Sequence, residues 1–323
     1  MWTRWLATLA CAATIAGCGA RSGLGVPDGA PSRADAGVDA WAMDAPAVDA
    51  FREDAFRVID VGTDAPVDAP PPPPICTDAT VQFIYVVSQE NGLFSYHPPS
   101  GTLRRIGTIA CPVDPTVTPP PTPWSMSVDR AGTAYVIFND GHLFRVHTSD
   151  ARCEATSYTP NQNGWLTFGM GFTADRTDPG ERLFVTEADF MGPSQGLAWI
   201  DTTTLRLNVV GPYSTTLGRS ELTGSRDGRL FAFSLDPAAG SNVSEVDPTS
   251  ARVLSSTHLD IGTPESAWAG AFYGGDFYLF TTPPGARSGT TVTRYRPADG
   301  STTVVSSLTE TIVGAGVSTC APL

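Results

Sequence analysis

The sequence predicts an all-β domain over residues 76–323, a closed ring of five four-stranded antiparallel sheets. Three observations lead there. Short aromatic runs recur: "FIYVV" at 83–87, "AYVIF" at 134–138, "LFVTE" at 183–187, "LFAFS" at 230–234 and "FYLFT" at 277–281. They place Tyr85, Tyr135, Phe184, Phe231 and Tyr278 at successive steps of 50, 49, 47 and 47 residues. A stretch of small residues precedes every run except the first, and one more such stretch, "VGAGVST" at 313–319, has no aromatic run after it. A repeat of this length is one supersecondary unit that buries its apolar faces only against its neighbours. Four antiparallel strands per repeat is the pattern of a β-propeller blade.

Taken in order, the chain opens with "MWTRWLATLACAATIAGCGA". Arg4 supplies a positive start, and the apolar run from Leu6 to Ala16, which contains Cys11, is too short for a bilayer span of about 20 residues. Residues 1–17 read as a secretory signal. Its end, Ile15-Ala16-Gly17-Cys18, resembles the bacterial lipobox. That resemblance implies cleavage before Cys18 and acylation of its sulfur and new amino group. Two or more acyl chains anchor a protein stably, at about 0.8 kcal/mol per buried methylene. Gly19 stands where inner-membrane lipoproteins of enteric bacteria carry Asp, so the expected address is the outer membrane.

Residues 18–75 form the expected tether. Asp-Ala recurs at 35, 39, 44, 49, 54, 64 and 68, ten acids face four arginines, and Pro70 to Pro74 close the segment. Such a stretch buries too little apolar surface to offset the entropy of ordering it, and its like charges repel. The segment resembles the tethers of surface lipoproteins from high-GC, soil-living bacteria such as myxobacteria. The whole chain carries a net charge of −13 without a basic stripe, which excludes nucleic acid as an expected partner. The domain is expected to be monomeric.

Within each repeat the aromatic run is followed by a turn and a further strand: "LFSYHPPSG" at 93–101, "LFRVHTSDA" at 143–151, "LAWIDTTTL" at 197–205, "VSEVDPTSA" at 243–251 and "VTRYRPADG" at 292–300. Alternation sets Leu or Val against a polar residue and then Tyr, Val or Ile, the period of a strand. Pro, Asp, Ser, Thr and Gly supply the turn chemistry. A last strand follows, as in "TLRRIGTI" or "TTVVSSL". The small-residue stretches "WSMSVD", "FGMGFTAD", "LTGSRD" and "AWAGAFYG" suit the innermost strand, where blades converge and side-chain volume is limited. "VDRAGTAYV" at 128–136, and partly "SRDGRLFAF" at 225–233, resemble the loose blade signature of NHL-type, YVTN-type and lactonase-like propellers. WD dipeptides, kelch glycine pairs and Asp boxes are missing. Since the first repeat lacks a small-residue strand, "VGAGVST" is expected to supply it and close the ring, leaving no open sheet edge. A pair of β-sandwiches is the competing fold; it has no reason to keep so constant a period.

Cys76, Cys111, Cys153 and Cys320 remain once the signal and Cys18 are set aside. An even set in an exported domain implies disulfides, with three connectivities open. The ring favours Cys76–Cys320, because both flank the closing hairpin. Cys111 then falls to Cys153, which requires the Pro-rich loop 112–123 to fold back.

Chemistry is sparse. "GPSQG" at 192–196 fits G-x-S-x-G on paper, but Ser194 lies between two strands, where the hydrolase elbow needs a strand and then a helix. His97, His147, Asp201, Asp247 and Arg296 share one repeat slot, so that slot is read as a solvent-facing turn. His142 and His258 stand alone. Asp175, Asp178 and Glu181 cluster at a spacing that allows a Ca2+ site, although the EF-hand pattern is not met. The main candidates are Trp124, Trp165, Glu221, Glu265, Trp268 and Glu310, placed where inner strands begin and loops face the axis. Aromatics with carboxylates suit a sugar, peptide or cation; the competing account is that the tryptophans only plug the channel. The lactonase-like resemblance implies a divalent metal held by Glu, Asn and Asp; Glu221, Glu265 and Glu310 are available, but no matching Asn accompanies them. The expected role is a ligand- or protein-binding module of the cell envelope. The alternatives are a metal-dependent hydrolase or lactonase and a purely structural surface protein.

Overall fold

Burial falls from the inner strands to the outer ones, and that gradient gives each strand its place. The second strand of the first repeat is buried throughout, whereas its last strand is largely exposed. The structure, a computed structural model, describes residue 76 and residues 81–175, 180–187, 194–236, 240–262, 266–283 and 285–323. The expected signal with Cys11, the acylation candidate Cys18 and the tether to residue 75 lie outside the described residues, as do Asp178 and Glu265.

Twenty strands make five four-stranded antiparallel sheets among the described residues. Blade 1 holds β1 (Ile84–Ser88), β2 (Gly92–His97) and β3 (Thr102–Thr108). Blade 2 is β4 (Pro123–Val128), β5 (Thr133–Phe138), β6 (Leu143–His147) and β7 (Cys153–Ala155). Blade 3 is β8 (Phe168–Ala174), β9 (Glu181–Glu187), β10 (Leu197–Ile200) and β11 (Leu207–Gly211). Blade 4 is β12 (Arg219–Gly224), β13 (Leu230–Asp236), β14 (Gly240–Val246) and β15 (Val253–Leu259). Blade 5 is β16 (Trp268–Tyr273), β17 (Asp276–Thr281), β18 (Thr290–Arg296) and β19 (Ser301–Leu308). The last strand, β20 (Ile312–Gly316), pairs with β1 and completes blade 1, with Tyr85 opposite Gly316 and Val87 opposite Gly314. The fold is therefore the five-bladed β-propeller that the sequence predicts, closed by its C-terminal strand. No helix among the described residues is long and apolar enough to cross a membrane.

The inner strands lie side by side in one cycle, β20 on β4, β4 on β8, β8 on β12, β12 on β16 and β16 on β20. Their small residues are a steric requirement. A Cβ on Gly169 of β8 would sit 2.1 Å from the Ser220 carbonyl oxygen of β12, and one on Gly314 of β20 would sit 2.6 Å from the Met126 backbone nitrogen of β4. Side-chain hydroxyls also stitch neighbouring inner strands together. Ser127 accepts the Phe172 N–H at 2.9 Å, and Thr223 accepts the Phe272 N–H at 2.9 Å.

The core is divided into seams between adjacent blades. Tyr135 and Ile137 meet Met170 and Val185 between blades 2 and 3; Phe231 and Phe233 meet Phe272 and Leu279 between blades 4 and 5. At the closure Ile84, Tyr96 and Ile312 pack on Ala271, Tyr278 and Phe280. The shared histidine, aspartate and arginine slot is resolved as the start of one turn used five times. The N–H of Gly101, Ala151, Leu205, Ala251 and Gly300 returns to the carbonyl of His97, His147, Asp201, Asp247 and Arg296 at 2.7–2.9 Å. All five donors have positive φ, between 57° and 72°. Ala151, Leu205 and Ala251 accept that strain while buried in the seams.

Two disulfides are present among the described residues. Cys76–Cys320 spans 244 residues and joins the start of the domain to the segment after β20. Cys111–Cys153 ties the loop after β3 to the first residue of β7, so the Pro-rich loop does fold back.

Candidate functional site

Inner strands start at one end of the ring axis, and the antiparallel second strands finish there. Side chains from both therefore gather at one mouth. Trp124 is the second residue of β4, Trp268 the first of β16, Val313 the second of β20 and Glu221 the third of β12. Gln89 and Asn139 directly follow the ends of β1 and β5, whose last residues pair with Ile312 and Pro123. With Thr122, Ser266 and Ala267 these residues line a cavity of about 120 Å3, open at the mouth.

Glu221 lies at the bottom and is 4% exposed. The Ser125 hydroxyl donates to its carboxylate at 2.6 Å, and the Met170 N–H donates as well. Blades 2, 3 and 4 thus meet on this one side chain. Burial pushes the Glu221 carboxyl well above the usual carboxylate range, and the two donors pull it back by less. Trp268 is 7% exposed, and its indole N–H has no hydrogen-bond partner among the described residues. Arg219 stacks its guanidinium over that ring, 4.6 Å from the centroid, but does not line the cavity. Gln89, Asn139 and Ser266 form an exposed rim. The oxygen of Asn139 accepts the Thr122 N–H at 3.2 Å, which fixes the amide and keeps its NH2 group as a donor.

The opposite end of the axis is built differently. Glu181, at the start of β9, accepts the Arg130 N–H at 2.7 Å through Oε1 and the Thr319 hydroxyl at 2.7 Å through Oε2. The Arg130 Nε donates to Thr319 at 2.7 Å and lies 3.7 Å from Glu181 Oε2. Blades 1, 2 and 3 are joined there, beside Cys320. Burial raises the Glu181 carboxyl too, opposed by the Arg130 N–H, the Thr319 hydroxyl and the Arg130 charge.

Of the six candidate residues, the structure brings Trp124, Glu221 and Trp268 to the cavity. Trp165 is elsewhere. It is 1% exposed and packs with Tyr158 and Phe168 between blades 2 and 3, because the loop after β7 turns inward and pairs Gln162 with Trp165. Glu310 is half-buried near the start of β20, where its carboxylate accepts the Thr309 hydroxyl and does not line the cavity. Asp175 is paired with Arg182 at 2.6 Å and Glu181 with Arg130, so both are held by arginines. Among the described residues no group of three or more His, Cys, Asp or Glu side chains is placed to hold a metal ion. Ser194 lies in the loop between β9 and β10, its hydroxyl accepting the Gly196 N–H at 3.1 Å. Gln89, Thr122, Asn139 and Ser266 are the polar lining residues that composition did not single out. Their signal was positional, since Gln89 and Asn139 occupy the slot after the aromatic run.

No protein-family model and no curated protein matches the chain. Among solved structures it is similar to a putative TolB from Agrobacterium tumefaciens, at 10% identity and a TM-score of 0.40, over 75% of this chain and 81% of that one.

Proposed function

We propose that the protein is an exported binding module, anchored to the envelope through acylated Cys18, held off the membrane by residues 18–75, and presenting the axial cavity to a ligand. The cavity carries this reading. Two indoles, two side-chain amides and a buried carboxyl converge from several blades on one open space, the mixture of apolar wall and few polar groups that ligand sites use. Two disulfides support an oxidising compartment, and the lipobox-like Ile15-Ala16-Gly17-Cys18 supports the anchor.

Two experiments test it. Cys18→Ser moves the protein from the membrane to the soluble fraction; unchanged fractionation refutes the anchor. For the site, low-mass envelope extract raises the melting temperature of the native protein and leaves a Gln89→Ala/Asn139→Ala variant unaffected. Equal shifts in both refute the axial site. A shift specific to calcium, manganese or zinc, lost in Glu221→Ala, would move the assignment to a metal-dependent hydrolase.

A further inference from the structure

Among the described residues the walls and floor of the axial cavity carry several hydrogen-bonding groups and one acidic group, Glu221. That acid already receives the Ser125 hydroxyl and the Met170 N–H. The rim adds the amides of Gln89 and Asn139 and the hydroxyl of Ser266, all uncharged. Among the described residues no cation lines the cavity and its one acid is already bonded by two donors, so a charged ligand entering here would give up its water without a fixed opposite charge free to offset the loss. Among the lining residues one demand is unmet: the buried Trp268 N–H lacks an acceptor among the described residues. A buried donor without a partner calls for one from outside the chain, a ligand or an ordered water. The Arg219 guanidinium over the same ring draws electron density toward itself and strengthens that N–H as a donor. Trp124 adds a second, half-buried aromatic wall. Flat apolar faces beside amides and hydroxyls match a molecule with C–H faces and a hydroxylated edge. The cavity, at about 120 Å3 and open on one side, holds one ring of that kind.

Resting on the assignment of this cavity as the ligand site, we infer that it takes an uncharged sugar ring, free or at the end of a glycan, with one sugar oxygen accepting the Trp268 N–H. The Gln89 and Asn139 amides bond outward-facing hydroxyls. Glu221, already bonded to Ser125 and Met170, shapes the floor.

The test uses the full chain, purified in a detergent without a sugar headgroup. It is titrated with three panels, followed by tryptophan fluorescence and ligand-observed NMR. The first panel is neutral hexoses and pentoses with their methyl glycosides, the second methylammonium and tetramethylammonium, and the third acetate and inorganic phosphate. At least one member of the neutral panel binds saturably. Trp268→Phe, which keeps a ring and removes the N–H, weakens that binding about tenfold, the loss expected of one buried hydrogen bond. Asn139→Ala, on the exposed rim, weakens it several-fold and covers the case in which Trp268→Phe fails to fold. Equal binding of methyl glycoside and free sugar identifies a glycan terminus; binding of the free sugar alone identifies a monosaccharide. Saturable binding of a cation, lost in Glu221→Gln, or of an anion overturns the sugar class while leaving the cavity a ligand site. Silence from all three panels means that the cavity holds only water, and overturns both.

Discussion

Each end of the propeller axis carries a buried glutamate, and the two are treated in opposite ways. Glu181 is held by the Arg130 backbone and guanidinium and by Thr319, a residue of the segment that follows the closing strand. Glu221 has a hydroxyl and a backbone N–H for partners, and among the described residues no cation lines its cavity. The far end is a clasp whose groups are spent on one another. The near end leaves a donor and an open space. The same residue type thus meets a counter-charge at one end, with its side chain 14% exposed, and none among the described residues at the other, where it is 4% exposed.

The largest break in this contrast is removal of the closing segment. Deleting residues 312–323 takes β20 from blade 1, Val313 from the mouth, and Thr319 and Cys320 from the clasp. It exposes an inner sheet edge, and the expected outcome is loss of cooperative melting by circular dichroism. A soluble truncation with a sharp transition would contradict closure. Next comes the disulfide beside the clasp. Replacing Cys76 and Cys320 with Ser is expected to cost about 2–5 kcal/mol in urea unfolding, more than the same change at Cys111 and Cys153, because the first pair closes 244 residues and the second 42. Arg130→Ala leaves Glu181 buried without its cation and is expected to cost about 3 kcal/mol. At the near end, Gln89→Ala and Asn139→Ala sit on an exposed rim and are expected to stay within about 0.5 kcal/mol of the native protein.

The ring itself was legible in the sequence because its geometry constrains composition. Inner strands approach so closely that Gly169 and Gly314 leave no room for a side chain, so a small-residue stretch marks every inner strand, the last one included. Three of the six candidates reach the cavity by the same logic. Trp124, Glu221 and Trp268 belong to the inner strands, and the mouth lies at their starts. Trp165 was misplaced by that logic, because its loop folds into the seam and buries the indole beside Tyr158. Nothing local marks Gln89 or Asn139, which as exposed polar residues look like any loop. The Arg130–Glu181–Thr319 clasp joins positions 189 residues apart at its extremes, a pairing that only the closed ring creates.

The contrast also fixes a sign. A carboxyl whose folded pKa is raised contributes its stability fully below the ordinary value of 4.5, and that contribution is lost as pH rises through the raised value. Burial raises both carboxyls, so at neutral pH either isostere removes that liability, and at Glu221→Gln the Ser125 hydroxyl is able to turn and accept from the new amide. The Thr319 hydroxyl, which has a second lone pair beside the one that takes the Arg130 Nε–H, is able to do the same at Glu181→Gln. What that substitution loses, and Glu221→Gln does not, is the charge pairing with Arg130 at 3.7 Å. The direct measurement is the melting temperature of these two isosteres at neutral pH. The account predicts that Glu181→Gln melts below the native protein and that Glu221→Gln does not. Equal losses in both, or a loss confined to Glu221→Gln, would contradict the division of the axis into a clasp and a ligand cavity.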